Sequence, residues 1–478
     1  MFMTAPLYQD LAQRLSTLIG SGTFPAGSRM PSVRRMSRDQ RVSVTTVLEA
    51  YGRLEDQGLI ESRPRSGYYV RPPRISSGEL PRAARHVAKP VEVEYRQIFE
   101  AVMDATSNPD VVPFGASIPG DDIIPSARLA SITNGILRRH GAAAFRYTMS
   151  PGRNELRASV SRRLLSAGVK IGAGKILTTQ GATEAIALSL MATTKPGDLV
   201  AVESPTYFGI LQMLNDMGLQ ALEVPVDARN GFDLETFKNL LERFPVTACI
   251  VQPSYQNPVG SCMSDQAKAE LVQLAIQHDF VLIEDDLHGE ICHHGVRPLP
   301  LAHFDQDHRV IHCGAVSKIL APGLRVGWVA NEKYYQRLRR LKSVYYMASG
   351  TISELVVAEF FDVGGYDRHL RRIRTLYVQR CTQIRDAVLE AFPEGTRVNL
   401  PSGGFVLWVE MPRQFDSEAF AVRAFAAGIS LVPGTVFTPT GRMRNCFRLS
   451  CGSAFDERSA KAIKTLAKLA KQCLDEAG

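Results

Sequence analysis

From about Val112 almost to the C-terminus, short apolar runs alternate with helical stretches. KILTTQG leads into ATEAIALSLMATTK, LVAVESP into YFGILQMLNDMG, and ACIVQPS is followed by DQAKAELVQLAIQHDF and VLIEDD. Short apolar runs bounded by Gly, Pro or Asp are the pattern of strands buried on both faces, and the longer stretches carry a helical period. Strand-helix alternation of this kind predicts an α/β domain built on a parallel sheet. In such sheets, ligand sites form at the C-terminal ends of the strands. No repeat of solenoid period interrupts the pattern.

The chain of 478 residues exceeds one ordinary core and implies more than one compact unit. Between Arg71 and about Tyr95, RPPRISSGELPRAARHVAKPVEVEY mixes Pro, Arg, Ser and Ala without an apolar period, which predicts a linker. The expected organisation is therefore residues 1–70, a linker 71–95, and a large domain 96–478. Residues 1–90 hold fourteen Lys and Arg against seven Asp and Glu, so nearly all of the chain's net charge of +8 lies at one end. That asymmetry suits a nucleic-acid-binding domain. No run approaches the roughly 18 apolar residues of a membrane span, and the N-terminus lacks the pattern of a signal peptide, so a cytoplasmic protein is expected without membrane partners. All eight cysteines lie from Cys249 onward without a C-x-x-C pair, and His293-His294 cannot share a helix face. Neither a disulfide framework nor a metal site is expected.

In the basic N-terminal part, SRMPSVRRMSRDQRVSVTTVLEAYGRLEDQG predicts two successive helices, one opened by Pro31 and Ser32 and the next capped by Ser43. Val44, Val47, Tyr51 and Leu54 fall on one inward stripe of the second, with Ser43, Thr45 and Thr46 at its exposed end. LIESRPRSGYYV then forms two extended runs around Arg63, Pro64, Arg65, Ser66 and Gly67, the outline of a wing with a basic tip. Periodicity alone also allows a small bundle that binds nothing. The segments PSVRRM, VSVTTV and GLIESRPRSGYYV, within Leu7 to Val70, resemble the winged helix-turn-helix domain of the GntR family. That resemblance implies double-stranded DNA as partner, with Ser32, Arg34, Arg35, Thr45 and Thr46 at phosphates or base edges and Gly67 in the minor groove. Val44 and Leu48 depart from it, standing where the family often has arginine, so phosphate contacts are expected to dominate affinity.

In the large domain, HCGAVSKILAPGLRVGWV places Ser317-Lys318 at the end of an apolar strand and Arg325 seven residues on, across a Pro-Gly turn. A partly buried lysine has a lowered pKa and attacks an aldehyde, while a nearby arginine pairs a phosphate. Together they suit pyridoxal 5'-phosphate held as a Schiff base on Lys318. A Ser-Lys dipeptide alone is usually mere surface, so the neighbouring motifs matter. VLIEDDLHGEI ends a strand on Glu284, Asp285 and Asp286, and Asp285 is the expected partner of the pyridinium nitrogen. TTQGATEAIALSL turns through Gly181 into a helix whose Ala182 and Thr183 amides form a phosphate seat. PSYQNPVG offers Asn257 as donor to the phenolic oxygen, ESPTYFG offers Tyr207 as a stacking ring, and NCFRLSC offers Arg448 as a fork for an amino acid's carboxylate.

In this order the features resemble fold-type I aminotransferases, particularly the branch similar to aminoadipate and kynurenine aminotransferases. The resemblance implies large and small subdomains and a homodimer, with Tyr147 of FRYTMSPGRNELR reaching the partner's site. It also marks two departures. His288 stands where the family commonly has a tyrosine at the phenolic oxygen, and Ala315 replaces a frequent phosphate-binding serine. A GntR-like domain linked to an aminotransferase-like domain is similar to the MocR branch of GntR regulators. The resemblance implies a homodimeric transcription regulator sensing an amino acid or pyridoxal phosphate. A working aminotransferase with an incidental N-terminal extension remains the alternative, and a cofactor-free dimerising scaffold a third reading.

Overall fold

The computed structural model describes residues 7–20, 24, 28–56, 59–63, 66–70, 79–82, 88–93, 108–293 and 296–477. They divide between two compact units, Met1–Gly78 and Glu79–Gly478.

The first unit contains helices α1 (Leu7–Gly20), α2 (Val33–Gln40) and α3 (Val44–Asp56), followed by the hairpin strands β1 (Ile60–Arg63) and β2 (Gly67–Val70). The hairpin is antiparallel, with Arg63 opposite Gly67, and Arg29 adds a bridge to Tyr69 on its other edge. Arg65 of the expected wing tip lies outside the described residues. The core joins Leu11, Leu15, Met36, Val47, Tyr51 and Leu54 with the hairpin's Ile60 and Val70. Tyr51 is fully buried, and its hydroxyl satisfies itself on the Pro31 carbonyl at 2.7 Å.

One residue of the expected inward stripe does not belong to it: Val44 is 46% exposed, whereas Val47, Tyr51 and Leu54 are fully buried. Val44 is the first residue of α3, and along this helix the small core begins at Val47.

The second unit is built on an eight-stranded sheet. Its strands, in chain order, are β3 (Ile176–Thr179), β4 (Leu199–Ser204), β5 (Gln220–Asp227), β6 (Gly231–Phe232), β7 (Val246–Val251), β8 (Val281–Asp285), β9 (Val310–Ala315) and β10 (Gly327–Ala330). Their spatial order is β3-β10-β9-β8-β7-β4-β5-β6. Residues alternate between the faces: Val200 and Val202 pack into one core, Leu199 and Ala201 into the other, so both faces are covered and the strands are continuously apolar.

The sheet is not wholly parallel as expected. β9, β8, β7, β4 and β5 run parallel to their neighbours in that series, while β10 is antiparallel to both β9 and β3, and β6 to β5. A parallel return needs a crossover of a dozen or more residues, usually with a helix. The 316–326 connection is too short for one, so the chain doubles back, and Lys318 lies within that doubling.

A smaller layer carries β11 (Arg397–Val398), β12 (Val406–Glu410), β13 (Val432–Pro433) and β14 (Cys446–Ser450), in the antiparallel order β11-β12-β14-β13. Part of the stretch expected to be linker packs on this unit. Val91 exchanges backbone hydrogen bonds with Ala221 at 3.0 and 2.9 Å, Ala88 and Val93 are buried, and the Arg82 amide donates to Glu410. Isolated apolar residues set among Pro and Arg carry no period, so the sequence does not reveal this packing. Residues 71–78, 83–87 and 94–95 lie outside the described residues.

Candidate functional site

Within the sheet, the chain runs from β4 outward to β5 and then returns to β7 on β4's other side. The strand order therefore switches between β4 and β7, and in sheets of this kind ligands bind at such a switch point, outside the strands' C-terminal ends. Tyr207 follows β4 and Asn257 follows β7. Asp285 ends β8, Lys318 follows β9, and Gly181 follows β3, so five separate connections deliver their residues to one edge.

Lys318 is half-buried and donates from Nζ to the Ser117 carbonyl. Burial, with Arg448 and Arg325 nearby, brings its pKa down to about 8, against the opposing pull of Asp285. Asp285 is pushed up to about 7 by burial and by Asp286 and Glu284, even though the Leu287 amide donates to it at 3.2 Å. The acids beside it are engaged elsewhere. Glu284 accepts from the Leu301 and Ala302 amides and pairs with His312 at 3.0 Å, and Asp286 pairs with Arg297.

At the end of β3, Gly181 takes φ 94° and precedes helix α4 (Ala182–Thr193) without any side-chain cap. The first amides of α4, from Ala182 and Thr183, have no intrahelical partner. Arg325 holds its guanidinium over this end by donating to the Gln180 carbonyl at 2.7 Å, and a Cβ at Gly181 would stand 2.9 Å from that guanidinium. Free amides, a helix dipole and an arginine converge there on a space kept clear by glycine, a seat for a phosphate dianion. Ser317 is buried between this seat and Lys318 in sequence, and Ala315 ends β9 without a hydroxyl.

Arg448 on β14 is 1% exposed, and its guanidinium donates to Asn257 Oδ1 at 2.9 Å and to the Gly115 carbonyl. It sits 5.2 Å from the Phe437 ring centroid, its Nε has no partner, and burial lowers its pKa to about 10. Among the described residues it has no carboxylate partner. A buried guanidinium lacking a counter-charge fits a carboxylate brought by a ligand. Because Asn257 Oδ1 accepts from Arg448, its amide hydrogens remain available to another acceptor. Tyr207, half-buried, feels Arg448, Asp285 and Arg325, so its phenol belongs to the same cluster.

His288 is buried, with Nδ1 2.9 Å from the Tyr255 carbonyl and Nε2 unpartnered. Burial, with Lys318 and Arg448 nearby, lowers its pKa to about 4. The protonated imidazole that could stand in for a tyrosine donor is thus disfavoured: Nδ1–H donates to Tyr255, and Nε2 presents a lone pair. Gly115 and Ser117, which orient Arg448 and Lys318, went unrecognised in the sequence. They lie in the small-residue turn FGASIPG, whose only signal is the Pro-Gly pair. Tyr147 is 77% exposed and stands apart from the cluster within one chain. The residues present fit pyridoxal phosphate: an amine, a carboxyl, a phosphate seat, an aromatic ring and a carboxylate fork meet at one edge. Among the described residues, no group of His, Cys, Asp and Glu is placed to hold a metal ion, and no helix is long and apolar enough to cross a membrane.

In the first unit, Ser32 caps α2 by accepting from the Arg35 amide at 3.2 Å. Ser43 accepts from the Thr46 amide at 3.0 Å and shares a hydrogen bond with its hydroxyl, so both hydroxyls serve the helix end as well as facing outward. Arg34, Arg35 and Thr45 are exposed, and Arg35 pairs loosely with Asp39 at 3.6 Å. Gly67 takes φ 104° beside the exposed Arg29, a basic wing neighbour that the sequence pattern gave no reason to select.

The model of the bacterial regulatory proteins of the gntR family matches residues 7–70, and that of aminotransferase class I and II matches residues 109–466. An uncharacterized HTH-type transcriptional regulator of Escherichia coli, YjiR, is 34% identical over 98% of this chain and 99% of its own. Two solved structures share the fold of the second unit. Pyrococcus horikoshii kynurenine aminotransferase has a TM-score of 0.74 and 27% identity, over 80% of this chain and 95% of that one. The α-aminoadipate aminotransferase of Thermus thermophilus, complexed with N-(5'-phosphopyridoxyl)-L-leucine, has a TM-score of 0.74 and 26% identity, over 80% and 97%.

Proposed function

The chain belongs to the MocR type of gntR-family regulators, a DNA-binding domain fused to a class I and II aminotransferase domain, and from that premise we propose that it is a homodimeric, cytoplasmic transcription regulator whose DNA affinity responds to an amino acid captured beside Lys318. The observation that carries the ligand class is Arg448, a buried cation without a carboxylate partner among the described residues, close enough to Lys318 to help lower the lysine's pKa.

Pyridoxal phosphate supplies an aldehyde for covalent attachment and a ring that withdraws electrons. Lys318 is the amine that carries it as a Schiff base, and its lowered pKa leaves a usable neutral fraction near neutral pH. Asp285 would face the pyridinium nitrogen, where a bound cation would draw its raised pKa back down. Arg325, with the Ala182 and Thr183 amides and Ser317, receives the phosphate. Tyr207 would cover the ring face, and Asn257 would donate to the phenolic oxygen. His288 Nε2, lacking a proton, would accept from that oxygen only in the oxygen's protonated form. Arg448 fixes an incoming α-carboxylate and so places the amino group toward Lys318. Tyr147 extends from each protomer to its partner's site.

DNA docks on α2, α3 and the hairpin through Ser32, Arg34, Arg35, Ser43, Thr45 and Thr46, with Arg63, Arg65 and Gly67 on the wing. An active transaminase is the second reading, favoured by the same lysine, carboxylate and arginine. Amino acids and 2-oxo acids added to the holoprotein, with visible spectra and DNA affinity followed together, separate the two. A spectral change accompanied by altered DNA affinity and little turnover supports regulation. Steady turnover with DNA affinity indifferent to every amino acid overturns it.

A further inference from the structure

Helix α3 presents two aliphatic side chains to solvent. Val44 and Leu48 are each 46% exposed, one turn apart, beside the exposed Thr45, while Val47, Ala50, Tyr51 and Leu54 bury the adjoining face. Leaving two such side chains in water forfeits the stabilisation that burying them would bring, and nothing in the core of this unit reaches them. The surroundings are basic: Arg34, Arg35, Arg38 and Arg41 are exposed on and after α2, with Asp39 on α2 and Glu49 on α3 the acidic exceptions. An apolar pair ringed by arginines matches a surface that is anionic at its rim and apolar at points within. The major groove of DNA has that character, with phosphates at its edges and the 5-methyl group of thymine projecting inside.

We propose that Val44 and Leu48 read thymine, each packing against a 5-methyl group in the major groove. This rests on the docking of α3 in DNA assigned above. Side chains four residues apart are separated by roughly 6 Å along a helix, close to the roughly 6.8 Å of two base-pair steps. The two thymines therefore lie within about two base pairs of each other, on either strand. Arginine at these positions would select guanine through paired hydrogen bonds, whereas aliphatic side chains select for the methyl. The preferred sites of this protein are accordingly T·A-containing where α3 enters, and its arginines add affinity without sequence preference.

The test uses the full-length holoprotein and double-stranded DNA selected from a random pool. Each thymine of the selected site is replaced in turn by deoxyuridine, which removes only the methyl group. Loss of affinity by about fourfold at each of two nearby positions is expected, the cost of one buried methyl. Val44→Ala should abolish the penalty at one of them and Leu48→Ala at the other. Wild-type protein indifferent to every deoxyuridine overturns the inference, as does a penalty that persists unchanged in both alanine variants. Leu48→Glu separates this from the parent reading. If it binds DNA as tightly as wild type, α3 lies outside the groove and both fail. If it abolishes binding while deoxyuridine has no effect, only the thymine assignment fails. A change in the oligomeric mass of Leu48→Glu without DNA assigns these side chains to a protein interface instead and also overturns the proposal.

Discussion

Asp285 and Lys318 each oppose folding in the cofactor-free protein, and in different pH windows. Asp285 is raised to about 7 in the folded chain, chiefly by burial, so between about pH 4 and 7 the folded state holds a proton the unfolded state has released. Stability from this group is present at low pH and declines as pH rises through 7. Lys318 is lowered to about 8, again chiefly by burial, so stability recovers as pH rises from 8 toward 10.5. Near pH 7.5 both charges are held where burial disfavours them. Their mutual attraction offsets part of the cost. Asp285→Asn is therefore expected to raise the unfolding midpoint of the apoprotein at pH 7.5, with a ceiling of about 4 kcal/mol at full shift. It should also weaken pyridoxal phosphate binding at least about tenfold, because the pyridinium loses its counter-charge. Thermal melts and cofactor titrations check both, and an apoprotein destabilised by the substitution would contradict the argument. Lys318 and Asp285 stand out in the sequence as charged residues at or just after the ends of apolar strands, and Arg448 as a charge within one. The protonation of His288 is not legible there, because it depends on burial and on Lys318 and Arg448, which only the fold brings near.

At the scale of elements, the alternation of strands and helices was readable because both faces of the sheet are covered, which leaves near-continuous apolar runs. The reversal of β10 was harder to see, since its apolar pattern is that of a parallel strand and only the shortness of the 316–326 connection betrays it. Least legible was the support beneath the phosphate seat. Helix α5 (Tyr335–Tyr345) supplies it. From it the fully buried Lys342 donates to the Thr178 carbonyl at 2.5 Å and to Ser349 Oγ at 2.6 Å, and faces Glu184 at 3.5 Å. Glu184 accepts from the Gln180 amide at 2.7 Å, and the Gln180 carbonyl in turn holds Arg325. A lysine in YQRLRRLKSVY gives no local sign of this, among so many exposed basic neighbours. Lys342→Met should leave Glu184 buried without its counter-charge, at a cost of roughly 3–5 kcal/mol in stability. Because the same chain ends at Arg325, affinity for pyridoxal phosphate should fall about tenfold, while that for pyridoxal, lacking the phosphate, changes little. Equal loss for both ligands would reduce Lys342 to a purely structural role.

At the scale of the whole molecule, the second unit leaves a group of large apolar side chains in water around the paired strands Thr148–Met149 and Ala348–Ser349. Phe145 is 72% exposed, Tyr147 77%, Val344 72% and Tyr345 66%, with Met149 and Met347 about half exposed. Single exposed apolar residues are ordinary, but a contiguous set of this kind marks an interaction surface. Tyr147 lies within it, so a second copy of the chain docking there would cover the set and bring Tyr147 to its partner's site together. The same docking joins two DNA-binding units and makes the second half-site contact effectively intramolecular, which can raise avidity by roughly 10² to 10⁴ without any new contact. Val344→Asp combined with Tyr345→Asp places two charges in the middle of the set. The pair is expected to convert the protein to monomers in analytical ultracentrifugation and to lower affinity for a two-half-site DNA by about a hundredfold or more. Affinity for a single half-site should stay near the wild-type value, because residues 7–70 are untouched. A variant that remains dimeric, or one that loses both DNA affinities alike, would place the interface elsewhere on the second unit.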